Sequence, residues 1–162
     1  MKGKKALFLF LALLLPVCIF IFLKIFGKNQ FDVAPLHQEG MIEVPANCNL
    51  KYTTPYAIPD SIMSKVGAGD APLTILNFSK EDSVLQRVRE EVAETEGRII
   101  SPSSLTTLPD ADYIKRCILL LKAPYDVVLI DDQKRIRGYY KASDREEIDR
   151  LIIELNIILK KY

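Results

Sequence analysis

Few side chains in this sequence are suited to covalent or metal chemistry. It contains three cysteines and one histidine. Cys18 lies inside an apolar run, which leaves Cys48 and Cys117, and no Cys-x-x-Cys or Cys-x-x-x-Cys pair occurs anywhere. Without closely spaced thiols we expect no dithiol–disulfide exchange. His37, the single histidine, excludes any site that needs two histidines.

Each of these residues also has a structural interpretation. His37 is predicted to be a structural or surface histidine, with a ligand or acid–base role as the alternative. Cys48 and Cys117 could form a disulfide in an oxidising compartment. A cysteine on the apolar face of a helix, such as Cys117, more often behaves as a small hydrophobe. We therefore predict no catalytic, cofactor-binding or metal-binding residue and no cofactor.

The charge of the chain and its aromatic residues limit the classes of partner that we expect. Residues 29–162 hold 17 Lys+Arg and 21 Asp+Glu, a net charge of −4. No basic cluster is interleaved with aromatics, so we expect no nucleic-acid partner, and no small-molecule substrate is expected either. Four tyrosines are candidates for an interface or for the edges of the core: Tyr52, Tyr56, Tyr139 and Tyr140.

The N-terminal residues predict a membrane anchor. Residues 6–23 (ALFLFLALLLPVCIFIFL) carry no charge, and eighteen helical residues span about 27 Å, close to the thickness of a bilayer core. We predict a cytoplasmic basic flank and anchor over residues 1–28, with the span at about 6–26. A cleaved signal peptide and a lipoprotein modified at Cys18 are the alternatives. The lysines before the run favour a cytoplasmic N-terminus.

The rest of the chain is predicted to form one domain with a preceding linker. Residues 29–72 are predicted to be a linker with a hairpin at 36–44, where Gly40 supplies the turn. Residues 73–162 are predicted to be the core. Its elements follow in the order strand 73–78, helix 80–96, strand 98–101, helix 110–122, strands 126–130 and 135–140, and a final helix capped by Ser143. This order predicts an α/β fold, a thioredoxin-like mixed sheet with flanking helices, preceded by one N-terminal transmembrane helix.

At this level the chain resembles the Sco/SenC family, membrane-anchored thioredoxin-fold proteins that assist copper delivery to cytochrome oxidase. The resemblance rests on residues 128–131 (VLID), 136–140 (IRGYY) and the helix after them, together with the order of the elements. It implies a structural role for Pro124, the proline ahead of the third core strand.

The resemblance breaks at the family's copper ligands. Its Cys-x-x-x-Cys pair would fall near Glu81 and Leu85, and its histidine near Ala123. A glutamate oxygen is a hard donor that does not replace thiolates for Cu(I). The chain is therefore identified as a degenerate member of the family that lacks these ligands.

We predict a non-enzymatic protein that acts by protein–protein binding, as an accessory subunit or assembly factor of a respiratory complex such as cytochrome oxidase. Its expected partners are membrane lipid, through the N-terminal helix, and a membrane protein complex. Its expected location is the bacterial inner membrane, as a single-pass protein with the N-terminus in the cytoplasm and the domain in the periplasm. The alternatives are an active copper chaperone or thiol–disulfide oxidoreductase, and a tethered scaffold of an unrelated membrane machine.

Overall fold

The computed structural model describes residues 2–26, 32–68, 71–79, 86–93, 98–100, 105 and 108–159. The chain divides into two compact units, of which the first ends at Asp32 and the second begins at Val33. The second unit therefore starts about forty residues before the predicted core boundary at residue 73. Residues 33–68 belong to this second unit.

The first unit consists of helix α1, Lys2–Phe26. A spanning helix needs about 20 predominantly apolar residues. Across the residues that the structure describes, no helix is both long enough and apolar enough to cross a membrane. The predicted fold class, a thioredoxin-like mixed sheet preceded by a transmembrane helix, is therefore wrong. The predicted location, a single-pass protein of the bacterial inner membrane with its domain in the periplasm, is wrong for the same reason.

The second unit is built on a four-stranded sheet with the order β2-β1-β3-β4. The strands are β1 Leu73–Asn77, β2 Arg98–Ile100, β3 Val127–Asp131 and β4 Ile136–Tyr140. β1, β3 and β4 are antiparallel neighbours, and β2 pairs parallel to β1. Every residue of β1 and β3 is buried, including the polar Thr74, Asn77 and Asp131, so both faces of these strands are covered.

The turn between β3 and β4 is organised by one carboxylate. Asp131 accepts hydrogen bonds from the backbone N–H groups of Gln133 and Arg135, at 3.0 and 2.9 Å. It also pairs with the side chains of Arg135 and Arg137. The carboxylate thus satisfies backbone donors that the tight turn leaves without strand partners, which is why aspartate suits this position.

The helices of the second unit differ in regularity. They are α2 Asp60–Lys65, α3 Gln86–Ala93, α4 Ala111–Tyr113 and α5 Arg145–Ile158, and α4 continues directly into a π-helical segment, Ile114–Ile118. α5 begins one residue later than predicted. Its N-cap is Asp144, whose side chain accepts from the Glu146 N–H, and not Ser143. Aspartate and serine cap helices equally well, so the sequence does not decide between adjacent candidates.

Two apolar clusters lie on opposite faces of the sheet. On the helix-covered face, α3 and α5 pack on β1, β3 and β4 through Leu73, Ile75, Val88, Val127, Leu129, Tyr140, Ile148, Leu151 and Leu155. On the loop-covered face, residues from 33–68 and the π segment pack on the same strands through Tyr56, Ile58, Met63, Val66, Leu76, Ile114, Ile118, Leu119, Val128, Ile130 and Ile136.

The predicted hairpin at residues 36–44 is not formed. These residues make turns and bends and contain no strand. His37 and Gly40 both have positive φ, at 57° and 76°, which interrupts extended pairing. The segment is instead joined to the domain by long-range backbone bonds. Leu36 N–H donates to the Ile136 carbonyl at 2.7 Å, and the His37 carbonyl accepts from the Tyr56 N–H at 3.1 Å.

Candidate binding site beside the disulfide

The two cysteines outside α1 are brought together. Cys48 and Cys117 form a disulfide that joins residues 69 positions apart, with their Cα atoms separated by 5.5 Å. Cys48 lies in the irregular segment and Cys117 in the π segment. Both residues are buried, with exposures of 7% and 1%. The bond therefore connects the irregular segment, which covers the sheet, to the π segment.

Three tyrosine hydroxyls hold the C-terminal end of the π segment. Tyr52, Tyr56 and Tyr139 donate to the carbonyls of Cys117, Ile118 and Leu119 respectively, at 2.7, 2.6 and 2.8 Å. Terminal carbonyls of a helix have no partner within the helix, so three successive acceptors are satisfied by side chains from elsewhere in the fold. Burial raises the pKa of the Tyr56 hydroxyl to about 12, which keeps it protonated as a donor.

His37 belongs to the same network. Its Nε2 lies 3.1 Å from the hydroxyl oxygen of Tyr139. Since Tyr139 gives its single proton to the Leu119 carbonyl, its oxygen accepts from the N–H at Nε2 of His37. Partial burial, and then the positive charge of Lys122, lower the pKa of His37. The hydrogen bond to Tyr139 agrees with the prediction of a structural histidine.

Pro124 lies between the π segment and β3, after a cis peptide bond to Ala123. Ala123, near the family's histidine position, is exposed and has no ligating side chain. Glu81 and Leu85, near the family's cysteine positions, lie outside the described residues. Among the residues that are described, no three His, Cys, Asp or Glu side chains are grouped as a metal site would require.

A pocket of about 460 Å³ opens beside the disulfide. Part of its lining comes from Pro45 and Ala46, just before Cys48. The rest comes from residues 112–123 and comprises three basic residues, one acid and two apolar residues: Lys115, Arg116, Lys122, Asp112, Leu121 and Ala123. A second, more open hollow shares Asp112 and Arg116 with this pocket and extends to Tyr113.

Several large side chains close in sequence to the pocket residues are exposed. Met41 is fully exposed and Val44 is 53% exposed. Met41 precedes Glu43 by two residues and Val44 follows it, and the Glu43 carboxylate pairs with Lys122 of the pocket lining at 2.8 Å. Tyr113 and Tyr125 are each 38% exposed, and Tyr125 stacks on Tyr139 with ring centroids 6.4 Å apart. We call Met41, Val44, Tyr113 and Tyr125, together with the pocket, the docking face.

No protein-family model, curated protein or solved structure matches this chain. The resemblance to the Sco/SenC family therefore stays a prediction.

The acceptors of Tyr52, Tyr56 and Tyr139 do not follow from the sequence, because they lie between 20 and 65 residues away along the chain. The basic pocket was not predicted either. The signal was present in Lys115, Arg116 and Lys122, three cations close together in a domain of net negative charge. Nothing local indicated that residues 45–46 would form the facing wall.

Proposed function

We propose that this domain is not catalytic and acts by binding another protein, as an accessory subunit or assembly factor of a respiratory complex such as cytochrome oxidase. The respiratory partner is what the family resemblance implies. The observation that carries protein binding is the docking face, which combines a fully exposed methionine, an exposed valine and two exposed tyrosines with a pocket.

The residue types of the docking face suit association. Methionine and tyrosine are enriched at protein interfaces because they supply large contact areas, and tyrosine adds a polar tip. Clusters of exposed apolar side chains are uncommon on monomeric proteins unless they have a binding role. Beneath this face the backbone is fixed by the Cys48–Cys117 disulfide and the tyrosine hydrogen bonds. A surface held in this way loses little conformational entropy on binding.

The chemically reactive groups support the same proposal. The sulfur atoms of the disulfide belong to buried residues, which leaves an external thiol little access for exchange. The hydroxyls of Tyr52, Tyr56 and Tyr139 are committed to backbone carbonyls. A group used in this way maintains the shape of the surface.

Co-purification tests the proposal. The full-length chain carries a C-terminal tag and is recovered from gently solubilised cells as wild type, Met41→Asp and Ile153→Asp. Ile153 is a matched control, because it is 54% exposed on α5. We expect subunits of a respiratory complex to accompany the wild type and Ile153→Asp, and to be lost with Met41→Asp. Equal recovery with all three variants would refute the docking face. A constant partner from outside respiration would refute the respiratory assignment.

A further inference from the structure

The pocket of the docking face carries positive charge on a negatively charged domain. Its lining contains Lys115, Arg116 and Lys122 against one acid, Asp112. Residues 29–162 have a net charge of −4. The pocket therefore carries a local positive charge although the domain as a whole is negative. Local charge of one sign in a cleft attracts and orients a ligand of the other sign.

Each of the three basic side chains can bind an anionic ligand, for a different reason. Lys122 pairs with Glu43, and both side chains are largely exposed, at 64% and 86%. An exposed pair of this kind is weak, so another carboxylate can displace Glu43. The Lys115 ammonium lies 5.5 Å from the centre of the Phe78 ring, a contact that leaves it able to bind an anion. Arg116 is exposed and makes no ion pair within the part of the chain that the structure describes.

The rest of the pocket is apolar. Leu121 is buried at 3% exposure and forms part of the lining, with Pro45, Ala46 and Ala123. A volume of about 460 Å³ accommodates a few side chains of a peptide rather than a single ion. The ligand that complements these walls has carboxylates next to an apolar side chain.

We propose that this pocket binds an acidic segment of the partner protein, with its carboxylates on Arg116, Lys115 and Lys122 and an adjacent apolar side chain against Leu121. This inference rests on the proposed function and specifies the chemistry of the partner. Glu43 occupies Lys122 in the free domain and is displaced when the segment binds. The disulfide connects the two stretches that line the pocket, because Cys48 lies two residues after Ala46 and Cys117 directly follows Arg116.

Fluorescence polarisation of the full-length chain tests the pocket. The probe is a short fluorescein-labelled peptide of alternating glutamate and leucine, and its control is the same peptide with glutamine in place of glutamate. We expect saturable binding of the acidic peptide only, weakened about tenfold by Arg116→Glu and by raising the salt from about 0.05 to about 0.3 M. Glu43→Gln should tighten binding, because it removes the carboxylate that competes within the chain.

Arg145→Glu provides the charge-matched control, since Arg145 is exposed at the start of α5. It should leave binding of the peptide unchanged. Equal binding of the glutamine peptide, equal weakening by Arg145→Glu, or no saturable binding would each overturn the acidic-segment proposal. If Met41→Asp still abolishes recovery of a protein partner in that case, the docking face stands and only the chemistry assigned to the partner fails.

Discussion

The two faces of the sheet are covered by different means. On the helix-covered face, α5 places Ile148, Leu151 and Leu155 on the sheet as a regular stripe, and all three are fully buried. On the loop-covered face, an irregular segment is fastened by a disulfide, by the hydroxyls of Tyr52 and Tyr56, and by the hydrogen bond of His37 with Tyr139. A helix can bury a stripe with no specific partner for each residue. An irregular segment must satisfy its backbone and fix its course through individual bonds.

This difference separates stability from binding. On the helix-covered face, Ile153 is the one large apolar side chain that α5 exposes among its described residues. The loop-covered side of the domain contributes the exposed Met41, Val44, Tyr113 and Tyr125 and the basic pocket. Loops on a rigid scaffold commonly carry binding residues, because their side chains are not committed to the core. The variants below test this division, from the largest expected effect to the smallest.

The largest loss of stability is expected from Leu155→Ala on α5. It removes fully buried side-chain atoms and leaves a cavity, which should lower the free energy of unfolding by about 2–5 kcal/mol. Chemical denaturation monitored by circular dichroism measures the change. Ile153→Ala, on the same helix but exposed, should change it by less than about 0.5 kcal/mol. Similar losses for the two variants would contradict the packing assigned to α5.

Removing the disulfide should cost somewhat less. The bond closes a loop across 69 positions, and loops of this length typically give about 2–4 kcal/mol by restricting the unfolded chain. The double variant Cys48→Ser, Cys117→Ser should show this loss under oxidising conditions, and dithiothreitol should destabilise the wild type but not the variant. Cys18→Ser serves as the control. A reductant effect of equal size in the double variant would show that the disulfide does not stabilise the loop-covered face.

Tyr56→Phe tests the hydroxyl bonds individually. The Tyr56 hydroxyl donates to the Ile118 carbonyl at 2.6 Å in the interior. Its removal leaves a buried acceptor unsatisfied, which costs about 1–3 kcal/mol. Tyr113→Phe removes an exposed hydroxyl and should be close to neutral. If thermal unfolding of the two variants coincides, the tyrosine bonds do not hold the π segment.

The smallest effect concerns His37 and depends on pH. Burial, and then Lys122, hold its pKa in the folded chain below the ordinary value of 6.5. Between these two pKa values the unfolded chain binds more protons, so its contribution to stability is full above about pH 6.5 and is lost as the pH falls below that value. His37→Asn should remove this component, and asparagine tolerates the positive φ at this position. Identical stability–pH slopes for wild type and variant would contradict the assignment.

The difference between the helix-covered and loop-covered faces also decides how much of the fold could be predicted from the sequence. The burial of Ile148, Leu151 and Leu155 follows from helical spacing, and the strand at 73–77 from a short apolar run between turn residues. The hairpin predicted at residues 36–44 is wrong, because alternation favours a hairpin while His37 and Gly40 take positive φ. The partner of Leu36 is Ile136, a hundred positions away, which no local pattern reveals.

Only part of the candidate site could be predicted from the sequence. With Cys18 in the apolar run, Cys48 and Cys117 were the one pair left for a disulfide outside it. Whether they paired depended on a tertiary distance that the sequence does not give. The pocket required the π segment and the loop at 45–46 to face one another, and neither element indicates the other. The membrane anchor was predicted from the hydropathy of residues 6–23 alone, and the described helices do not form such a span.

The most direct test of the central claim is site-specific photo-crosslinking in living cells. A photoreactive phenylalanine analogue replaces Met41 on the docking face in one strain and Ile153 on α5 in another. Both positions are exposed, so both variants should fold and accumulate equally. The account predicts a discrete crosslink to one protein from position 41, identified by mass spectrometry, and none from position 153. Crosslinks of equal yield from both positions, or a partner captured only from position 153, would contradict it.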